Sequence, residues 1–320
     1  MKTVFITDRI TNPNIEKKIL GSHLSDTSNE ETEVLLVWNN RVDAPLIDRM
    51  PNLKGIIRYG VGYEMLDWEY GAKKGIYVCN TPDYGTEEVS DTALAMILNI
   101  LRGVTRYDYK ARTFKTGWQE NTLPEIRRGS VQTLGVLGAG RIGGRVLLLA
   151  KMFSLDCVFY DPYKEQGHEK LLGVRRVETM EELLEQSDIL SINAPLTPET
   201  NGLIDKEFLG KMKKGASLVN TARGPIIKHL DVLYDALKSE HLASVALDVL
   251  PDEPPGDHRL IQAWKNREPW LEGRLLINPH TAFFSSQSFD EMREKAARNA
   301  LRILEGKKPY NIIAEYLLHR

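Results

Sequence analysis

The chain is short of several things, and each shortage removes a class of protein. It has two cysteines, Cys79 and Cys157, in 320 residues. Both sit in strand-like apolar runs, so two buried thiols in a reducing compartment are expected rather than a disulfide. No apolar run approaches the ~20 residues that span a bilayer. The opening stretch Val4-Phe5-Ile6 is too short for a signal peptide and reads as a first strand. Neither sign of charge is in excess. Lys and Arg number 42 against 44 Asp and Glu, a net charge of −2, which offers no basic face to a nucleic acid. No Cys/His group has metal-ligand spacing, so no metal is expected. There are no internal repeats and no low-complexity tracts. The expectation is a cytoplasmic protein with neither a membrane nor a nucleic-acid partner. Its 42% apolar and 27% charged composition is ordinary for a globular chain, and its length is enough for two cores.

What is present is an alternation of short apolar strands with amphipathic helices, the pattern of parallel sheets covered on both faces. A first set of strands is predicted at 3–6, 34–37, 55–58 and 76–78. A second is predicted at 134–137, 157–160, 189–193, 217–220, 245–249 and 275–277. Between the sets, a helix is predicted over 86–103. Its middle is apolar nearly all round, so it reads as a buried connector. A last helix, 286–305, carries a stripe of Phe289, Met292, Ala296, Ala300 and Leu304 and ends at Gly306. It returns to the first set, which makes the smaller domain discontinuous: 1–100 with 285–320, against 101–284 for the other.

The second set opens on the most specific motif in the chain, Gly138-Ala139-Gly140-Arg141-Ile142-Gly143. It follows a strand, opens a helix, and is followed eighteen residues after Gly143 by Asp161 at the end of the next strand. This order suits a dinucleotide. Gly138 allows the tight turn, Gly140 lets the backbone approach the pyrophosphate, and Gly143 lets the helix pack on the strand. The free amides at the helix start, among them those of Arg141 and Ile142, face the phosphates. Asp161 would accept the adenosine ribose hydroxyls and repel a 2′-phosphate, so NAD is the expected cofactor.

Ligands of open α/β sheets lie beyond the carboxyl ends of the strands. Three later strands end in polar residues there: Thr221-Ala222-Arg223-Gly224, Asp248-Val249 leading to Glu253-Pro254, and Asn278-Pro279-His280. Arg223 is suited to grip a carboxylate and polarise a carbonyl with its planar fork. His280 is suited to exchange a proton near neutrality. Glu253 is suited to hold that imidazole and favour its charged form. Asp248 is suited to the nicotinamide ribose or amide. Thr221, Ala222, Arg223 and His280 complete the expected cofactor contacts. A hydride transfer at a small 2-oxo or 2-hydroxy acid needs this set.

These stretches, with Arg58-Tyr59-Gly60-Val61-Gly62-Tyr63 before Leu66-Asp67, resemble the D-isomer-specific 2-hydroxyacid dehydrogenase family over nearly the whole chain. The resemblance implies two doubly wound parallel-sheet α/β domains, a Rossmann NAD-binding domain and a flavodoxin-like substrate domain. It implies catalytic roles for Arg223, Glu253 and His280. It also implies that the Gly60-Val61-Gly62 amides bind the substrate carboxylate, with Arg58 nearby. A homodimer is implied, with the connector helix and 102–129 as its candidate interface. Val78-Cys79-Asn80-Thr81-Pro82 and His280-Thr281-Ala282-Phe283-Phe284-Ser285 are most similar to the C-terminal-binding-protein branch of NAD(H)-dependent corepressors. That branch has tryptophan where Phe283 stands, which makes Phe283 either a substrate-pocket residue or a core residue. An NAD(H)-sensing protein-binding module is therefore the alternative to an enzyme, and an acid with a phosphonate, sulfonate or phosphate tail is the alternative substrate. Lys228 stands where the family usually has an acid, and Asp91 where it more often has glutamate. The segment 255–273, with Trp264 and Trp270, is either an active-site rim or a packed surface loop.

Overall fold

The computed structural model describes residues 3–318, which divide into two compact units. Unit one holds residues up to Gly85 and from Phe284 onward, and unit two runs from Thr86 to Phe283. The boundary expected near residue 100 lies instead between Gly85 and Thr86, at the start of the connector helix. That helix packs on the glycine-loop helix and on the second sheet, so it belongs with unit two.

Unit one contains strands β1 (Val4–Ile6), β2 (Leu24–Ser25), β3 (Val34–Val37), β4 (Gly55–Arg58) and β5 (Tyr77–Cys79). They form one all-parallel sheet in the order β2-β1-β3-β4-β5, the flavodoxin-like order. The two-residue β2 was not predicted. Its helices within the first segment are α1 (Asn14–Leu20), α2 (Ala44–Asp48) and α3 (Trp68–Lys73).

Unit two begins with α4 (Thr86–Arg102) and α5 (Val104–Thr113). Strands β6 (Thr133–Leu137), β7 (Asp156–Tyr160), β8 (Arg175–Arg176), β9 (Ile189–Ile192), β10 (Ala216–Asn220), β11 (Leu242–Leu247) and β12 (Leu275–Ile277) follow. They are interleaved with α6 (Arg141–Met152), α7 (His168–Leu172), α8 (Met180–Gln186), α9 (Lys206–Gly210), α10 (Leu230–Lys238) and α11 (Arg259–Lys265). The sheet is parallel, in the order β12-β11-β10-β9-β6-β7-β8. The order reverses at β6, which places a topological switch point between β6 and β9. The chain then returns to unit one as α12 (Ser286–Leu304) and α13 (Ile313–Leu318).

The alternation of side chains builds two cores on the second sheet. Leu134, Val136, Phe159, Val219 and Ala246 face α4 and α6, while Leu137, Val158, Leu218, Val245 and Leu247 face the other way. Each fully buried aliphatic or aromatic side chain contributes roughly 1.5–3 kcal/mol of transfer free energy. Contrary to the expectation of a helix buried all round, α4 buries one face, with Ala93, Met96, Ile97 and Leu101, and leaves Ala95 exposed. In unit one α12 packs across β3 and β4. The glycine at Gly55 makes this possible, since a Cβ there would lie 2.4 Å from Cδ1 of Ile303. Helix α12 buries Met292, Ala296 and Ala300 as predicted, with Ile303 rather than Leu304 ending the stripe. Both cysteines are free and buried, and burial pushes their thiols up to about 12. Among the described residues, no helix is long and apolar enough to cross a membrane and no side-chain group could hold a metal ion.

Candidate active site

The glycine loop joins β6 to α6, and each glycine has a distinct constraint. Gly138 has φ +88°, and a Cβ there would lie 2.9 Å from the Ala194 nitrogen. Gly143 sits in the first turn of α6, where a Cβ would fall 1.9 Å from the Gly138 carbonyl oxygen. Gly140, the N-cap of α6, is different: a Cβ there would meet nothing within 4 Å. Its freedom from neighbours means that packing does not demand glycine, whereas a ligand lying against the backbone would. Arg141 is exposed and Ile142 half-buried at the start of the helix, where their amides belong to the unsatisfied first turn.

Asp161 ends β7 and is buried. Its Oδ2 accepts the Ala139 N–H at 2.9 Å and its Oδ1 the Tyr163 N–H at 3.0 Å. The acid therefore pins the glycine loop, and each oxygen keeps a lone pair for a further donor. His168, which sequence reasoning passed over, holds the same loop from the other side. Its Nε2 lies 3.0 Å from the Ala139 carbonyl and its ring stands edge-on to Phe159.

The register carries the site across three strands. Ile192 stands opposite both Leu137 and Asn220, so Gly138, Asn193 and Thr221 follow side by side at the carboxyl ends of β6, β9 and β10. Asn193 Oδ1 and Thr221 Oγ1 are both buried without a hydrogen-bond partner among the described residues. A buried oxygen left in this way is costly. Two of them beside an open glycine and a helix N-terminus fit a polar cofactor at the switch point. Asn193 was missed because in the sequence it reads as the uncharged last residue of the strand predicted at 189–193.

Beyond β10, the fully buried Asn220 folds the next turn on itself. Its Oδ1 accepts the Ala222 N–H at 3.0 Å and its Nδ2 donates to the Arg223 carbonyl at 3.0 Å. This presents half-buried Ala222 and Arg223 beyond the strand, with Arg223 Nη1 donating to the Ala222 carbonyl at 2.7 Å. Gly224 packs directly on the neighbouring loop, where a Cβ would fall 1.8 Å from the Leu250 carbonyl oxygen. The Leu250 N–H in turn donates to Glu253 Oε1 at 2.9 Å. The segments bearing Arg223 and Glu253 are thus in backbone contact.

Glu253 Oε2 lies 2.7 Å from His280 Nδ1. With Nδ1–H donating to this carboxylate, Nε2 is left for a reacting group. Burial alone would raise the Glu253 carboxyl. The hydrogen bonds from His280 and the Leu250 amide, and the charges of His280 and Arg223, outweigh it and hold the carboxyl below its ordinary value. His280 itself has φ +56°, a conformation that costs a non-glycine residue roughly 1–2 kcal/mol. Asp248 sustains it. The Asp248 carbonyl accepts the His280 N–H at 2.8 Å, and its carboxylate accepts the amides of Thr281 at 3.0 Å and Ala282 at 3.0 and 3.1 Å. Burial, reinforced by Glu253, raises the Asp248 carboxyl despite these amides and the charge of His280. Asp248, expected at the nicotinamide ribose or amide, also has its carboxylate hold the backbone that follows His280. Phe283 is half-buried with its ring centroid 6.5 Å from that of His280, edge to face.

In unit one, Arg58 ends β4 and folds back to donate to the Tyr59 carbonyl. Gly60 follows at φ +138°, its amide donating to Thr81 Oγ1 at 2.7 Å. Asn80 Nδ2 donates to the Val61 carbonyl at 2.7 Å. Val61 is exposed and Gly62 buried. The turn is thereby tied to the segment after β5. Of the remaining sequence features, Lys228 lies 3.6 Å from Asp205, and Asp91 lies 3.6 Å from Arg145. The 255–273 segment contains α11, and Trp270 stacks edge-on against Tyr234 of α10, so this tryptophan is packed surface structure.

An open parallel sheet with a glycine loop at its switch point and an Arg–Glu–His set at its strand ends defines a dinucleotide-dependent oxidoreductase. The model of the D-isomer specific 2-hydroxyacid dehydrogenase NAD binding domain matches residues 94–282. A glyoxylate reductase of Korarchaeum cryptofilum is 37% identical over 301 residues, covering 93% of this chain and 86% of that protein. The D-lactate dehydrogenase of Aquifex aeolicus, solved with NAD and lactic acid, superposes with a TM-score of 0.82 at 26% identity, covering 95% and 96% of the two chains. A glyoxylate reductase from Paecilomyes thermophila superposes with a TM-score of 0.83 at 25% identity, covering 98% and 99%. The chain belongs to the D-isomer-specific 2-hydroxyacid dehydrogenase family, and its cofactor is NAD(H). These relatives support the enzyme and lend nothing to the corepressor alternative.

Proposed function

We propose that the chain reduces a small 2-oxo acid to the D-2-hydroxy acid, reversibly, with His280 as the proton donor and acceptor. The observation that carries this reading is the His280–Glu253 pair at 2.7 Å, on a loop held in backbone contact with the segment of Arg223. Bound NADH supplies the hydride to the substrate C2, and NAD+ takes it back in the reverse direction. His280 Nε2–H gives its proton to the carbonyl oxygen as the hydroxyl forms, and Glu253 stabilises the imidazolium that this requires. Arg223 binds the substrate carboxylate and polarises the carbonyl. In unit one, the Val61 and Gly62 amides, which donate to no acceptor among the described residues, are suited together with Arg58 to bind a substrate carboxylate. Gly138, Gly140, Arg141, Ile142, Gly143, Asp161, Asn193, Thr221 and Ala222 hold the cofactor. Phe283 lines the substrate side chain.

Glyoxylate is the first substrate to try, since curated relatives at 34–37% identity carry the name glyoxylate reductase. The test is NADH oxidation against glyoxylate, hydroxypyruvate, branched and aromatic 2-oxo acids, and phosphonate and sulfonate analogues. Turnover of at least one supports the reading, and tight NADH binding with no turnover of any would overturn it. The homodimer belongs to the same proposal. Unit two leaves Val104, Phe114, Trp118, Leu148, Met152 and Phe153 exposed, and Met152 is 81% accessible. Leu148 and Met152 stand one turn apart on α6, and the Phe114 and Trp118 rings meet edge to face, side chains that a partner copy would cover. Sedimentation as a monomer would refute it.

A further inference from the structure

Unit one contains a buried ion pair that the chemistry above leaves unused. Glu16 of α1 is fully buried and Arg293 of α12 nearly so. Arg293 Nε donates to Glu16 Oε1 at 2.9 Å and Nη2 to Oε2 at 2.6 Å. Nη2 also donates to the Asn12 carbonyl at 2.8 Å and to Asn14 Oδ1 at 3.1 Å. The third member is Tyr59, whose Oη donates to Glu16 Oε1 at 2.9 Å. Replacing such a pair by apolar groups of similar volume is often neutral for stability, so stability alone does not account for it. A buried polar network with its donors and acceptors satisfied does specify one geometry.

The place of Tyr59 says which geometry. It lies between Arg58 and Gly60, at the root of the turn assigned to the substrate carboxylate. Side chains alternate across a strand, so anchoring Tyr59 on the face of α1 and α12 commits Arg58 to the opposite face. There its guanidinium lies along Gly60, with Nη1 3.0 Å from where a Cβ would stand. The Tyr59 ring also packs on Trp38, 6.4 Å between centroids, and the Trp38 amide is held by Asp8 Oδ1 at 2.9 Å. The rotation of the last strand residue, and with it the direction of the Val61 and Gly62 amides, is therefore set by groups far away in sequence.

We propose that Glu16, Arg293 and Tyr59 are positioning residues for the 58–62 turn, and that they set affinity for the substrate acid rather than turnover. The inference rests on the 2-oxo acid reading above. The test is steady-state kinetics of Tyr59→Phe beside the full-length wild type, using the 2-oxo acid that the wild type turns over fastest. Loss of one hydroxyl anchor is expected to raise KM about tenfold, equivalent to ~1.4 kcal/mol. At the same time kcat should stay within about twofold, and the NADH Kd, read by fluorescence titration, should not move. Glu16→Gln, which keeps an oxygen for Tyr59, should bring KM most of the way back from its raised value in Glu16→Ala. A Tyr59→Phe variant that melts earlier yet keeps its KM would show a merely structural role and overturn the proposal. So would a joint fall of kcat and NADH affinity. A wild type inactive on every acid refutes the proposed function itself and takes this inference with it, whereas an active wild type with an unchanged variant KM refutes only the inference.

Discussion

Gly140 separates a cofactor cradle from a mere turn. Its neighbours leave open space where a Cβ would go, and its φ of −73° is within reach of any residue. Gly140→Ala therefore asks nothing of the packing. Alanine limits the unfolded chain, which stabilises by about 0.4–1 kcal/mol, but it is a poorer N-cap than glycine by a similar amount. The melting temperature should stay within about 2 °C. Binding is another matter. If the pyrophosphate lies against this backbone, a methyl group there forces it off one amide, and a hydrogen bond to a charged group is worth roughly 1.5–3 kcal/mol. NADH affinity should then fall about ten- to a hundredfold. Gly143→Ala is the control with opposite logic. Its Cβ would sit 1.9 Å from the Gly138 carbonyl oxygen, so helix and loop must part, at a cost of about 1–3 kcal/mol and several degrees of melting temperature. The assay is calorimetric titration with NADH beside thermal melts. Unchanged NADH affinity in Gly140→Ala would refute the placement of the pyrophosphate.

Two further outcomes follow from the strand-end contacts. Gly224→Ala drives a Cβ to 1.8 Å from the Leu250 carbonyl, which must displace Arg223 from the Glu253 segment by more than 1 Å, so kcat should drop about a hundredfold; a kcat within threefold of wild type would show that this contact positions nothing. His280→Ala removes two of the influences that lower the Glu253 carboxyl, so carbon NMR should find Glu253 titrating at a higher pH in the variant than in the wild type, and an unchanged titration would break the assignment of the pair. Because the folded wild-type value is depressed, the stabilisation from ionised Glu253 is fully present above the ordinary glutamate range near ~4.3 and is lost as pH falls through the lower folded value.

The fold was legible where pattern was strong. Ten strands announce themselves as apolar runs, and the glycine loop with Asp161 marks the switch point. The strands that escaped, β2 and β8, are two residues each and exist through pairing with β1 and β7, a long-range property that no local period carries. The unit boundary was placed too late because the apolar middle of α4 suggests a connector, whereas its partner is α6 within the same unit. Arg223, Glu253 and His280 were legible as polar residues at strand ends. Asp248 was legible as a site residue, but its hold on the Thr281 and Ala282 amides was not, because they lie beyond the end of the neighbouring strand. Asn193 and Asn220 hide as ordinary asparagines, and the Glu16–Arg293 pair spans 277 positions with nothing in either neighbourhood to announce it.

The proposed proton transfer by His280, oriented by Glu253, is the step most open to challenge. It is tested most directly by comparing wild type with His280→Ala in NADH oxidation by the preferred 2-oxo acid, with NADH affinity measured on the same samples. A kcat lower by about 10²–10⁴, the usual worth of a general acid, is expected, with NADH affinity little changed. Full turnover in the variant would contradict it.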